Sequence, residues 1–285
     1  MSTFILSAFA DEIDSDLKTQ MDVLEQHGIK YIEMRGVNGK QLVSYNLGEV
    51  KEIKRQISAR GFQLSAVGSP IGKIKITDEF EPHFELFKHT VEAAKIMECK
   101  YIRMFSFYIP KGEDPSIYRA DVIDRWTKFA KVAEDNNVIL LHENEAGIYG
   151  DTAERCLDLL TSLHSDHVRG IFDFANFVQC GETNYPAAYE LLKNYIEYVH
   201  VKDAVRADGH VVPAGEGDGN VKEILQELNQ RGYEGFLSLE PHLGHYTDFS
   251  ALEPDSPGYT LPPGGAKRFA VAVQAIKNLL KEFER

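Results

Sequence analysis

The sequence is poor in the features that mark several protein classes, and each absence excludes something. It has three cysteines, Cys99, Cys156 and Cys180, odd in number and widely spaced, with no CxxC pair. A disulfide framework, a thiolate zinc site and a dithiol redox centre are therefore not expected. No apolar run approaches the roughly 20 residues that span a bilayer. The start, Met1-Ser2-Thr3-Phe4-Ile5-Leu6, lacks a basic segment and a cleavage site. A cytoplasmic protein with reduced thiols and no membrane partner is expected. Positive charge is also in deficit: 31 Lys and Arg against 44 Asp and Glu give a formal net charge of −13. That field repels phosphate backbones and no local basic stripe offsets it, so no nucleic-acid partner is expected. No internal repeat, low-complexity tract or interdomain linker is legible.

What is present is an ordinary globular composition, 43% hydrophobic and 26% charged over 285 residues, enough for one large α/β domain. Short apolar runs alternate with longer segments of helical periodicity. The strand candidates are Phe4 to Phe9, Lys30 to Arg35, Gln63 to Val67, Lys100 to Phe105, Val138 to Glu143, Val168 to Asp173, Tyr198 to Lys202 and Gly235 to Glu240. Between them, stripes such as Leu17, Met21, Leu24 and Phe84, Phe87, Val91, Ala94 recur every three or four residues. Phe269, Val273, Ile276 and Leu280 form the last such stripe. Glycines 28, 61 and 232 stop helices just before the next strand. Parallel strands need crossover helices, and eight strand-then-helix units in this length predict a closed (β/α)₈ barrel of the triosephosphate isomerase type, one domain over residues 1–285. A doubly wound sheet would want a glycine-rich phosphate turn after the first strand, which Ser7-Ala8-Phe9-Ala10-Asp11-Glu12 is not.

Such barrels place their chemistry at the C-terminal ends of the strands. Four consecutive strands end in, or carry, metal-competent residues there: Glu143, Asp173, His200 and Glu240. Neighbouring strands lie about 4.8 Å apart, so side chains at matching heights converge. Three carboxylates brought together repel one another, and a divalent cation relieves that repulsion. Oxygen donors with one imidazole favour Mn²⁺, Mg²⁺ or Co²⁺, with Zn²⁺ also admissible, and Mn²⁺ is the expected ion.

The stretches Leu140 to Glu145 (LLHENE), Ile171 to Asn176 (IFDFAN), Tyr198 to Asp203 (YVHVKD), Pro213 to Asp218 (PAGEGD) and Leu237 to His242 (LSLEPH) resemble the xylose isomerase-like barrel family. That family includes ketose 3-epimerases, hydroxypyruvate isomerase, inosose dehydratase and endonuclease IV. The resemblance implies that Glu143, Asp173, His200 and Glu240 hold one divalent metal, and that Glu143 and Glu240 also shuttle a proton. It further implies substrate-binding roles for Arg206 and for Lys202 and Asp203, both expected to face the pocket. Asn176 stands where the epimerases and endonuclease IV carry a histidine, and only His210 matches the extra histidines of the endonuclease branch; both are taken as substrate-binding candidates. An isomerase or epimerase of a sugar or related polyhydroxy carbonyl compound is the expected activity, by proton abstraction beside a metal-polarised carbonyl. The alternatives are a metal-dependent lyase or dehydratase on an inosose or keto-glycoside, and a non-catalytic sugar-binding barrel.

Further polar candidates lie in the first half. Glu33 and Arg35 alternate on the second strand and are expected to pair inside the barrel. Lys73 follows the third strand as a substrate-binding candidate, Arg103 lies on the fourth, and Phe105, Phe107 and Tyr108 are expected to pack or to wall the pocket. The glycine- and proline-rich stretch 241–265, with His242, His245, Tyr246 and Tyr259, is expected to be a lid or a subunit contact in a homo-oligomer.

Overall fold

The computed structural model describes residues 3–243 and 265–283. Eight parallel strands close into a barrel: β1 (Thr3–Ala8), β2 (Tyr31–Met34), β3 (Gln63–Val67), β4 (Tyr101–Met104), β5 (Ile139–Glu143), β6 (Val168–Asp173), β7 (Ile196–Val201) and β8 (Glu234–Leu239). Each strand pairs with its sequence neighbours, and β1 closes the ring on β8 with Thr3 opposite Glu234 and Ala8 opposite Leu239. The expected barrel is therefore the observed fold, with strand ends within two residues of the sequence reading.

The outer ring contains α1 (Leu17–Gln26), α2 (Leu47–Ala59), α3 (Phe80–Ile96), α4 (Arg119–Asn136), α5 (Ala153–Leu163), α6 (Phe174–Gln179), α7 (Tyr189–Leu192), α8 (Val221–Gln230) and α9 (Gly265–Leu280). Local chemistry starts several of them. Asn46 and Glu49 form a reciprocal capping box on α2, and Asp16 caps α1 by accepting the Thr19 N–H. Between β6 and β7 the helical segment is divided into α6, buried almost throughout, and the four-residue α7. None of the described helices is long and apolar enough to cross a membrane.

Side-chain alternation sorts each strand into two cores. Outward residues such as Leu140, Phe172, Val199 and Leu237 pack under the helices, where Phe129 of α4 sits 4.7 Å from the Phe87 ring of α3. Inward residues fill the barrel in layers. Low in the barrel, Tyr101, Ile139, Leu141, Ile171, Tyr198 and Phe236 form a closed apolar cluster. At mid-height Ser7 and Ser65 bond at 2.5 Å, and the Tyr198 hydroxyl donates to Ser65 at 2.8 Å. Above that plug the inward positions become ionic.

Of the segment 241–265, only Pro241, His242, Leu243 and Gly265 are among the described residues, so the expected lid or subunit contact lies outside them.

Candidate metal centre

The ionic layer is assembled by register. Asp173 pairs with His200 across β6 and β7, while Ser238 lies opposite His200 on β8. Two residues further along both chains, Lys202 and Glu240 rise above that pair. On β5, Glu143 ends the inward series begun by Ile139 and Leu141. One ligand atom from each of Glu143, Asp173, His200 and Glu240 lies within 4.8 Å of the others, and all four residues are buried.

Neighbours fix the aim of each group. Asp173 caps α6, its Oδ1 accepting the Asn176 N–H at 2.8 Å, which turns Oδ2 toward the cluster. The backbone N–H of Asp173 donates to Asn144 Oδ1 at 3.0 Å, and Asn144 Nδ2 returns a bond to the Asp173 carbonyl at 3.1 Å. Asn176 Nδ2 donates to the Asn144 carbonyl at 2.8 Å and reaches Glu143 Oε1 at 3.3 Å. One side-chain network thus orients two of the carboxylates. His200 presents Nδ1 to Glu143 Oε1 at 3.0 Å and to Asp173 Oδ2 and Glu240 Oε2 at 3.6 Å each.

Cations balance these acids. Lys202 Nζ lies 2.9 Å from Asp173 Oδ2 and 2.7 Å from Glu240 Oε2. Arg103 reaches Glu143 at 3.2 Å, and Arg35 joins Asp11 at 2.7 Å, Glu12 at 3.4 Å and Glu240 at 3.3 Å. Phe9 stacks against both guanidiniums, with Arg35 Cζ 4.7 Å and Arg103 Cζ 4.9 Å from its centroid. Burial alone would push the carboxylates up, but His200 and Arg103 hold Glu143 down at about 2, and Lys202 and His242 hold Glu240 well below its ordinary range. Burial would likewise lower His200, yet Glu33 and Glu143 outweigh it and raise its pKa well above the usual value. Without a metal, therefore, Glu143 and Glu240 stay ionised, and His200 and Lys202 carry positive charge beside them.

The donor set fits a divalent cation. Three carboxylates and an imidazole converge, and Asp173 Oδ2, turned into the cluster, has only charged groups as its near neighbours. Glu12, Glu240 and His242 form a second cluster, but Arg35 already supplies positive charge to both of its carboxylates.

A cavity of about 200 Å³ opens above these groups, and Glu143, Asn176, Lys202, Glu240 and Lys73 line it. Lys73 is tied to Glu145 at 2.8 Å. Three other candidates are placed elsewhere. Asp203 follows Lys202 and so points to the opposite face. Its two oxygens accept the N–H groups of Ala204, Gly215, Gly217 and Gly219. This explains the glycines of the Pro213 to Gly219 turn: a Cβ at Gly217 would stand 2.5 Å from Asp203 Oδ1. Arg206 is exposed, its guanidinium donating to the Glu182 carbonyl at 2.7 Å, and His210 is exposed beside Asp208. Neither is among the cavity-lining residues.

Glu33 and Arg35 share a face but do not pair as expected: Glu33 meets His200 Nε2 at 3.1 Å while Arg35 turns to Asp11. Sequence reasoning missed Glu12, Asn144 and Phe9. Glu12 is the clearest case, since it accepts the backbone N–H of His242 at 2.8 Å and lies 3.0 Å from its Nε2 across 230 residues.

A closed eight-stranded barrel with carboxylates and an imidazole gathered at its C-terminal mouth defines the class: a (β/α)₈ barrel with a donor set suited to a divalent cation. Within that class, the chain belongs to the xylose isomerase-like TIM barrel family, whose profile matches residues 21–260. The curated relatives it matches include the uncharacterized protein MJ1311 of Methanocaldococcus jannaschii, 28% identical over 55% of each chain. Another is an inosose dehydratase of Clostridium perfringens, 27% identical over 40% of this chain and 43% of the relative. The chain thus matches about half the length of these relatives. Among solved structures, the probable 3-DHS dehydratase AsbF of Bacillus anthracis superposes with a TM-score of 0.74 at 16% identity, covering 98% of this chain and 99% of that one. The IOLI protein with a bound zinc atom gives 0.74 at 17% identity, covering 98% of each chain. The 3-keto-D-glucoside 4-epimerase YcjR of E. coli gives 0.69 at 15% identity, covering 99% of this chain and all of that one (100%). At these identities the superpositions establish the shared fold.

Proposed function

We propose that the chain is a divalent-metal-dependent isomerase or epimerase of a sugar or related polyhydroxy carbonyl compound. The observation that carries this reading is the placement of Glu143 and Glu240. Both line the cavity; Glu143 ends β5 and Glu240 follows β8, with the Asp173 and His200 staves between them. Two carboxylates on separate staves are what moving a proton off one face of a carbon and onto another requires. Mn²⁺ is the proposed ion, with Mg²⁺, Co²⁺ and Zn²⁺ as the other candidates for such donors. When bound, the ion supplies a Lewis acid to a substrate carbonyl.

The chain's residues supply the rest. Glu143 takes the proton beside the carbonyl; Glu240, once it has taken up a proton from solvent through the cavity it lines, returns one to the other face, and Glu143 then releases its own to solvent. Asn176, already bonded to Glu143, fixes that base and offers its amide to a substrate hydroxyl. The Lys202 ammonium lies beside the two carboxylates Asp173 and Glu240 and neutralises charge on a substrate oxygen. Lys73 binds at the cavity's outer wall; Asp203 acts by holding the 213–219 turn, and Arg206 and His210 are at most rim contacts.

One observation favours a second reading, a dehydratase or lyase acting on an inosose or keto-glycoside. His242 lines the cavity with Nε2 3.3 Å from Glu240, placing a proton donor for a leaving hydroxyl beside the base. A relative named as an inosose dehydratase points the same way. Incubation of the Mn²⁺-loaded protein in D₂O with ketoses, keto-inositols and 3-keto-glycosides separates the two. Deuterium uptake at the carbon beside the carbonyl with the substrate otherwise intact supports the isomerase; loss of water or aglycone supports the lyase. No exchange with any member of the panel would count against both.

A further inference from the structure

We infer that Glu33 is a positioning residue that selects which nitrogen of His200 faces the metal; the inference rests on the metal-centre reading above. Glu33 lies on β2, across the barrel from β7, and is fully buried. Its two carboxylate oxygens stand 3.2 and 3.1 Å from His200 Nε2, while Nδ1 of the same ring faces Glu143, Asp173 and Glu240. A buried carboxylate facing an imidazole nitrogen is tolerable only if that nitrogen carries a proton to donate. Nε2 is therefore the N–H, and when a cation is held by the quartet the lone pair is on Nδ1. The opposite tautomer would set the Nε2 lone pair against the Glu33 carboxylate and aim an N–H at the cation.

Turning the ring over within its plane would put Cδ2 and Cε1 where Nδ1 and Nε2 now face Glu143 and Glu33, and both contacts would be lost. Phe9 meets it edge-on at 5.2 Å and 77°, and Tyr198 does so at 5.8 Å and 84°. Packing thus fixes the plane of the imidazole, and Glu33 fixes its tautomer. An outer carboxylate of this kind also makes the ligating nitrogen more basic, and its loss typically lowers metal affinity about 10–100-fold.

The test combines calorimetric titration of the metal-stripped full chain with Zn²⁺ and ¹⁵N-histidine NMR of the Zn²⁺-loaded protein. Wild type should bind one equivalent, with His200 showing Nε2–H and a metal-shifted Nδ1. Glu33→Ala should weaken binding about 10–100-fold, and Glu33→Gln should recover part of the loss because its amide oxygen still accepts the Nε2–H. A role confined to packing would leave the tautomer signature unchanged and give no advantage to Gln. Wild-type spectra with Nδ1–H and ligation through Nε2 overturn the inference without any variant. So does wild-type affinity in both variants. If wild type itself binds no Zn²⁺ and Asp173→Asn changes nothing, the metal-centre reading falls and this inference falls with it.

Discussion

The two halves of the barrel contribute opposite things to its mouth. Staves β5 to β8 deliver the converging donors Glu143, Asp173, His200 and Glu240. Staves β1 to β4, with the turn after β1, deliver what holds those donors: Phe9, Glu33, Arg35 and Arg103, the arginines paired with Glu240 and Glu143 and Glu33 with His200. A reactive cluster and its support need not come from the same stretch of chain. The donors repeat at strand ends, whereas Glu33 and Arg35 reach His200 and Glu240 from distant parts of the chain and Arg103 acts from the neighbouring stave.

Breaking the donor half should have the largest effect. Glu143→Gln is expected to lower substrate proton exchange by about 10²–10⁴-fold, read by deuterium incorporation, with far-UV circular dichroism unchanged. Breaking the support half should instead appear in stability. Arg103→Met leaves Glu143 a buried carboxylate short of a partner, and removing one member of a buried pair typically costs about 3–5 kcal/mol, measurable by urea unfolding of the metal-free protein. Loading the Arg103→Met protein with Mn²⁺ should recover part of that loss, since an ion bound only by the folded state adds about 2.7 kcal/mol at 100 times its Kd.

This division also explains what was legible. The barrel was, because eight apolar runs and helical stripes repeat along the chain, and Asp173 ends its predicted strand at the residue where β6 ends. The convergence of Glu143, Asp173, His200 and Glu240 was legible because inward side chains at neighbouring strand ends meet at the mouth of such a barrel. Asp203 was misplaced because the HVKD string was read as a block, although alternation turns Lys202 inward and Asp203 toward the glycine turn. The pairing of Glu33 was misread because the nearest opposite charge in sequence, Arg35, is not its nearest in space. Contacts such as Glu12 to His242 join positions 230 residues apart, and no periodicity encodes them.

Two smaller effects sharpen the contrast away from the mouth. His83 accepts the Gly72 N–H through Nε2, and burial together with Arg125 lowers its pKa to about 4 from the ordinary 6.5. A depressed imidazole means the unfolded chain binds more protons between those values, so its stabilising contribution is present above pH 6.5 and is lost as pH falls through 4. His83→Gln should therefore make the urea midpoint fall less steeply over that interval than in wild type. The smallest effect is expected at the rim. Arg206→Ala removes an exposed side chain bonded to a backbone carbonyl, and stability should change by no more than about 0.5 kcal/mol, with kcat held and KM little altered.

Anomalous diffraction from crystals grown with saturating Mn²⁺ bears most directly on the central claim, that four staves gather their donors around one ion. The account predicts a single strong manganese peak within bonding reach of Glu143, Asp173, Glu240 and His200 Nδ1, with the Lys202 ammonium withdrawn from between Asp173 and Glu240. A map without that peak, or with Lys202 still bridging those two carboxylates beside an ion bound elsewhere, would contradict it.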